Sequence, residues 1–119
     1  MPIDVLVVDD DPWFRGIASR LLERAGFTVA GEADTVRRAL EAVIDLAPAA
    51  VLLDVGLPDG DGVSLAGELA KLPSPPHIVL TSSDPDAVTD ELATRSGAAA
   101  FVSKQDLTDQ RLRTLFAIP

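Results

Sequence analysis

Residues 50–62 read AVLLDVGLPDGDG, an apolar run from Ala50 to Leu53 that stops on Asp54 and passes into an acidic loop broken by glycine and proline. Four apolar residues in a row, bounded by turn signals, fit a strand buried on both faces of a parallel sheet. A carboxylate at the mouth of such a strand needs a reason, and the reason depends on what else ends at the same edge.

Outward from this stretch the same unit repeats. Ile3 to Val8 reads as a buried strand, and Asp11-Pro12 supplies a helix cap followed by a proline that needs no amide partner. Phe14, Ile17, Ala18, Leu21, Leu22 and Ala25 then form one apolar helical stripe that ends at Gly26. Thr28 to Ala33 is a second strand. Thr35 to Leu46 is a helix with Val36, Ala39, Leu40 and Val43 inward, closed by Pro48. After the third strand, Val63, Ala66, Leu69 and Leu72 mark a helix that stops before Pro73. Ile78 to Thr81 is the fourth strand, and Asp84-Pro85 is expected to open a helix running to about Arg95. Ala98 to Ser103 is the fifth strand. A last helix follows, with Thr108 as its cap and Leu107 and Leu112 as a hydrophobic staple.

Five strands alternating with five helices through short loops predict an α/β protein. The expected architecture is a single flavodoxin-like (βα)5 doubly wound parallel sheet with strand order 2-1-3-4-5, one domain spanning residues 1–119. In such sheets ligands bind at the carboxyl ends of the strands. The first strand ends on Asp9-Asp10, the third on Asp54, the fourth on Thr81-Ser82, and the fifth one residue before Lys104. Clustered carboxylates repel one another unless a cation relieves them, and hard oxygen donors of this kind suit Mg²⁺. A hydroxyl and an ammonium beside that cation can hold the oxygens of a phosphoryl group. The loop after the first strand is the opposite of a glycine-rich phosphate cradle, since Asp9-Asp10-Asp11-Pro12 repels a phosphate that arrives without a metal. Asp54 is therefore read as the acceptor of a phosphoryl group and the first-strand aspartates as the metal site.

These residues carry a family resemblance. VLVVDDDPWFR, LLDVGLPDGDG, IVLTSSD and GAAAFVSK, in this order and over essentially the whole chain, resemble the receiver domain of bacterial two-component response regulators. The resemblance implies that Asp54 is phosphorylated by the phosphohistidine of a sensor histidine kinase or a phosphotransfer protein. It implies that Mg²⁺ is held by Asp10, Asp54 and the backbone carbonyl of Gly56, with Asp9 acting through a metal-bound water. It further implies that Lys104, Thr81 and the backbone of Ser82 hold the phosphoryl group. Movement of Thr81 and of the aromatic at position 101 would then reshape the face made by the fourth helix, fifth strand and fifth helix, controlling a partner, homodimer formation or an attached, transcription-regulating output domain. The chain departs from the family pattern in having Phe101 where tyrosine is frequent, Gln105 where proline is common, and Gly56 with no side chain to cover the acyl phosphate.

Composition narrows the partners. A net charge of -9 opposes direct binding of nucleic acid or anionic membrane, and no apolar stretch approaches the ~20 residues of a membrane span. The absence of cysteine excludes disulfides and thiolate metal sites and makes a cytoplasmic location the expectation. Two other functions compete: a pseudo-receiver that binds partners without phosphorylation, and a small aspartyl-nucleophile phosphatase. The phosphatase would want its nucleophile on the first strand within a D-x-D. Not an enzyme but a regulatory phosphoacceptor is the reading favoured here. Asp11, Asp59 and Asp61 are expected to be cap or turn residues, and His77 to lie away from the site. No helix-turn-helix follows residue 119, so the expectation is either a stand-alone regulator or the receiver part of a longer one.

Overall fold

The computed structural model describes residues 3–117. Five strands, β1 (Asp4–Val8), β2 (Thr28–Ala33), β3 (Ala50–Asp54), β6 (His77–Ser82) and β7 (Ala100–Ser103), form one sheet in the order β2-β1-β3-β6-β7, with every neighbouring pair parallel. This is the expected 2-1-3-4-5 order. The two extra labels belong to a short antiparallel ribbon, β4 (Gly56–Leu57) and β5 (Gly60–Asp61), in the loop after Asp54. The sequence reading saw only a turn there.

Helices α1 (Pro12–Arg24), α2 (Val36–Leu46), α3 (Gly62–Leu69), α4 (Asp90–Arg95) and α5 (Asp109–Leu115) cover the sheet. Strand alternation sorts the core into two layers. Leu6, Val8, Val51, Leu53, Ile78 and Leu80 pack with α2, α3 and α4 on one face. Val5, Val7, Ala50, Leu52, Val79 and Val102 pack with α1 and α5 on the other. Asp11 caps α1 by accepting from the Trp13 amide at 3.0 Å, and Thr108 caps α5 by accepting from the Arg111 amide at 3.0 Å, both as the sequence predicts. Leu107 and Leu112 lie in the same apolar layer, as a staple requires.

Three boundaries differ, the first being that the fifth strand starts at Ala100 and not at Ala98. The fourth helix does not begin at Asp84. The Asp84 carboxylate accepts from the Asp86 amide at 2.9 Å, closing a local turn, and Thr89 is the cap that starts α4, accepting from the Leu92 amide at 3.1 Å. Two start signals compete within six residues. The second prevails while Val88 is buried in the core beside Ala93. The third helix ends at Leu69 instead of Leu72, although Leu72 still packs on the core. At the end of α2, Ala47 takes the left-handed conformation (φ 46°) that glycine usually supplies, because Pro48 follows and cannot continue the helix.

Candidate functional site

Alternation decides which residues meet at the carboxyl edge. Asp9 continues the row Val5, Val7; Asp54 continues Ala50, Leu52; Thr81 continues Val79. All three rows lie on the α1/α5 face. Asp54 and Thr81 are direct register partners across β3 and β6. Lys104 follows Ser103 at the end of β7 and opens a short 3₁₀ turn, Lys104–Asp106, so its long stem can reach back over the edge.

Lys104 Nζ lies 2.7 Å from Asp9 Oδ2 and 3.4 Å from Asp54 Oδ2, and 4.4 Å from the centre of the Phe14 ring. It thus joins the two buried carboxylates and covers one aromatic face, an arrangement that favours the charged ammonium. The other oxygens are held by the backbone: Asp9 Oδ1 accepts from the Asp11 amide at 2.9 Å and Asp54 Oδ1 from the Gly56 amide at 3.2 Å. Asp9 is fully buried and Asp54 nearly so, whereas Asp10 is exposed. Thr81 is fully buried, and its hydroxyl has no hydrogen-bond partner among the described residues. Ser82, also buried, accepts from the Asp84 amide at 3.1 Å.

The electrostatics follow from this geometry. Burial, and then the negative charge of Asp9, push the Asp54 carboxyl above the usual aspartate range; the Gly56 amide and Lys104 oppose them. Burial of Lys104 favours its neutral form, but the hydrogen bond and charge of Asp9, with Asp54 behind them, outweigh it and raise the ammonium above its ordinary value. One cation between two carboxylates leaves the site negative. Oxygens of Asp9, Asp10 and Asp54 lie within 4.8 Å of one another, close enough together to be drawn onto one cation. The donor set is all carboxylate, which suits a hard divalent cation. Both oxygens of Asp9 and of Asp54 have partners, at 2.9 and 2.7 Å for Asp9 and at the longer 3.2 and 3.4 Å for Asp54, while Asp10 is the exposed carboxylate of the three.

The remaining candidates separate cleanly. Phe101, on the alternate register of β7, packs half-buried with the α2/α3/α4 layer, on the sheet face opposite Thr81. Trp13 is 74% exposed. His77 sits at the other end of β6, where Nε2 meets the Leu115 carbonyl at 2.8 Å, well apart from the carboxylates. Asp61 caps α3, accepting from the Val63 amide at 3.0 Å. Asp59 is a cap as well, but of α2, across 23 residues of chain, and no local sequence signal marks that. Arg15 was also missed: its guanidinium donates to the Asp9 carbonyl at 2.7 Å and pairs with Glu32 at 2.9 Å, bracing the acidic loop against β2. An arginine one turn into α1 facing an acidic strand end was the available clue.

With this geometry in place, comparison with known proteins is decisive. The family model described as the response regulator receiver domain matches residues 5–116. The chain belongs to the response regulator receiver domain family. It is 34% identical over 101 residues to the chemotaxis protein CheY of Thermotoga maritima, covering 84% of this chain and 83% of that one. It is 33% identical over 102 residues to BvgA of Bordetella pertussis, named for positive transcription regulation of virulence factors, covering 86% of this chain and 49% of that protein. The signal receiver domain of NarL from Mycobacterium tuberculosis superposes with a TM-score of 0.84 at 32% identity, over 95% of this chain and 91% of that one. This receiver domain spans about half the length of the first curated relatives that it matches. Among the described residues, no helix is long and apolar enough to cross a membrane.

Proposed function

We propose that this receiver domain is a Mg²⁺-dependent phosphoacceptor switch in which Asp54 takes a phosphoryl group from the phosphohistidine of a sensor kinase or phosphotransfer protein. The observation that carries the reading is the constellation at the sheet edge: a nearly buried carboxylate bridged by Lys104, beside a buried threonine hydroxyl with no partner. Leaving a buried hydroxyl unbonded costs about 1–3 kcal/mol, so its retention points to an oxygen that arrives later.

In the transfer, an Asp54 carboxylate oxygen attacks phosphorus in line, the P–N bond to the donor imidazole breaks, and the imidazole nitrogen keeps the electron pair and takes up a proton. The Gly56 amide and Lys104 orient the carboxylate before attack. Lys104, lying 3.4 Å from Asp54, would follow the charge as it moves onto the phosphoryl oxygens, and the Thr81 hydroxyl, which has no partner among the described residues, would donate to one of them. Asp10, Asp54 and the Gly56 carbonyl would hold Mg²⁺, with Asp9 acting through its water; when bound, the ion neutralises charge on the transferring group. Ser82 would contribute its backbone amide. Phe101, lacking a hydroxyl, would respond only through packing, as its half-buried place in the opposite layer permits. The α4, β7 and α5 face is the proposed output surface, toward a partner, a second copy or an attached domain.

The test is intact mass after incubation with acetyl phosphate and Mg²⁺. A gain of one phosphoryl group, lost on chelation and in Asp54→Ala, is expected. No adduct under any condition would make the chain a phosphorylation-independent binding module, and turnover of unrelated phosphate esters would make it a phosphatase.

A further inference from the structure

The loop that carries Gly56 is held in a way the mechanism above does not use. A ribbon of two residues per strand is marginal by itself. Here Gly56 faces Asp61 and Leu57 faces Gly60, joined through Pro58 and Asp59. At the tip, the Asp59 carboxylate reaches α2: Oδ1 accepts from the Val36 amide at 2.8 Å and Oδ2 from the Arg37 amide at 3.2 Å. The third free amide of that turn, Arg38, is taken by Thr35 Oγ1 at 3.1 Å. The first turn of α2 therefore has its donors satisfied, two of them by a residue from the phosphoacceptor loop.

Packing follows the same line. Gly60 lies so close to Val36 that a Cβ there would come within 3.0 Å of the valine Cγ2. Leu57 and Val36 pack against the same core layer. The Val36 amide also holds the Asp59 carboxyl below the usual aspartate range, so the clamp is not titrated near neutral pH. Gly56 has no side chain, and a Cβ there would meet nothing within 4 Å, so no side-chain packing fixes it and its backbone is held by the ribbon and by its amide bond to Asp54 Oδ1.

We infer that Asp59 is a positioning residue of the phosphoacceptor site: by capping α2 from the ribbon tip, it fixes the backbone that presents the Gly56 carbonyl and the Gly56 amide beside Asp54. This rests on the reading of Asp10, Asp54 and Gly56 as the Mg²⁺ donors. Removing the clamp loosens the donor set without touching any donor.

The experiment compares wild type, Asp59→Ala and Asp59→Asn. Amide NMR shifts of residues 54–57 and 59–61 are followed during Mg²⁺ titration, and the rate of phosphorylation by acetyl phosphate is measured against Mg²⁺ concentration. Asp59→Ala is expected to raise the half-saturating Mg²⁺ concentration about tenfold, as loss of a residue that supports metal ligands does. Asp59→Asn keeps an acceptor for the Val36 amide but loses the one for the Arg37 amide, so its midpoint should fall between the alanine and wild-type values. An unchanged midpoint in Asp59→Ala, or an asparagine variant as impaired as the alanine one, overturns the inference. A wild type whose amides do not respond to Mg²⁺ at all overturns the metal-site reading instead, and the inference with it.

Discussion

Replacing Lys104 with methionine should destabilise the metal-free protein by an amount that depends strongly on pH. Methionine keeps much of the stem that lies over Phe14 but removes the ammonium between Asp9 and Asp54. At 2.7 and 3.4 Å, and with an effective dielectric near 20, the lost attractions are about 6 and 5 kcal/mol before desolvation is subtracted. A fully buried carboxylate stripped of its cation has a cheaper escape, which is to take a proton. At pH 7 that costs about 4 kcal/mol, or about 1.4 for each pH unit above the ordinary aspartate value near 3.9. Protonation therefore caps the loss at about 4 kcal/mol at pH 7 and about 1.5 kcal/mol at pH 5.

The sign on the lysine side is clear as well. Its raised pKa means that its stabilising contribution is complete below the unfolded value of about 10.5 and fades only at higher pH, so it does not change between pH 5 and 7. Urea denaturation of wild type and Lys104→Met at both pH values, with chelator present, measures the difference. A loss of about 3–4 kcal/mol at pH 7 that shrinks to about 1–2 at pH 5 is expected. A loss under about 1 kcal/mol at pH 7, no more than an exposed ion pair is worth, or one independent of pH, would refute the reasoning.

Three further substitutions probe the same site. Asp54→Asn should stabilise the metal-free protein at neutral pH, on the order of 1 kcal/mol at most after solvent screening, because the raised Asp54 pKa makes its charge a cost there. That gain should fade as pH falls through the raised value, where Asp54 itself takes a proton and favours the fold, and denaturation at pH 7 and pH 4 reads it. Thr81→Val exchanges an unpartnered buried hydroxyl for a methyl of the same shape, so resting stability should hold or rise by about 1 kcal/mol. The NMR response around Phe101 to phosphorylation should weaken in that variant. Gly62→Ala would drive a Cβ into the Asp54 carbonyl oxygen and within 2.8 Å of Val55 Cα, and a thermal melt should show a loss of about 3 kcal/mol.

How far these features are legible in the sequence depends on how local their causes are. Strands β1, β3 and β6 are continuous apolar runs ending on polar residues, and burial on both faces leaves them no other reading. The meeting of Asp9, Asp54, Thr81 and Lys104 follows from parallel topology, and alternation adds that Phe101 must lie on the other face. What escaped was settled by tertiary competition. Asp84-Pro85 is as good a helix start as Thr89 on local grounds, and burial of Val88 goes with the later one. Asp59 reads as a turn residue because its partners, the Val36 and Arg37 amides, are more than twenty residues away. The inward hold of Arg15 on the Asp9 carbonyl likewise needs α1 and β1 already in place.

In the proposed switch, Asp54 carries the phosphoryl group. Borohydride reduces an acyl phosphate to an alcohol, so treating the phosphorylated protein and mapping peptides by tandem mass spectrometry marks the modified residue. The mark is expected at position 54 alone, and only in samples that received both donor and Mg²⁺. A mark at Asp9 or Asp10, or at any residue in Asp54→Ala to the same extent as in wild type, would contradict it.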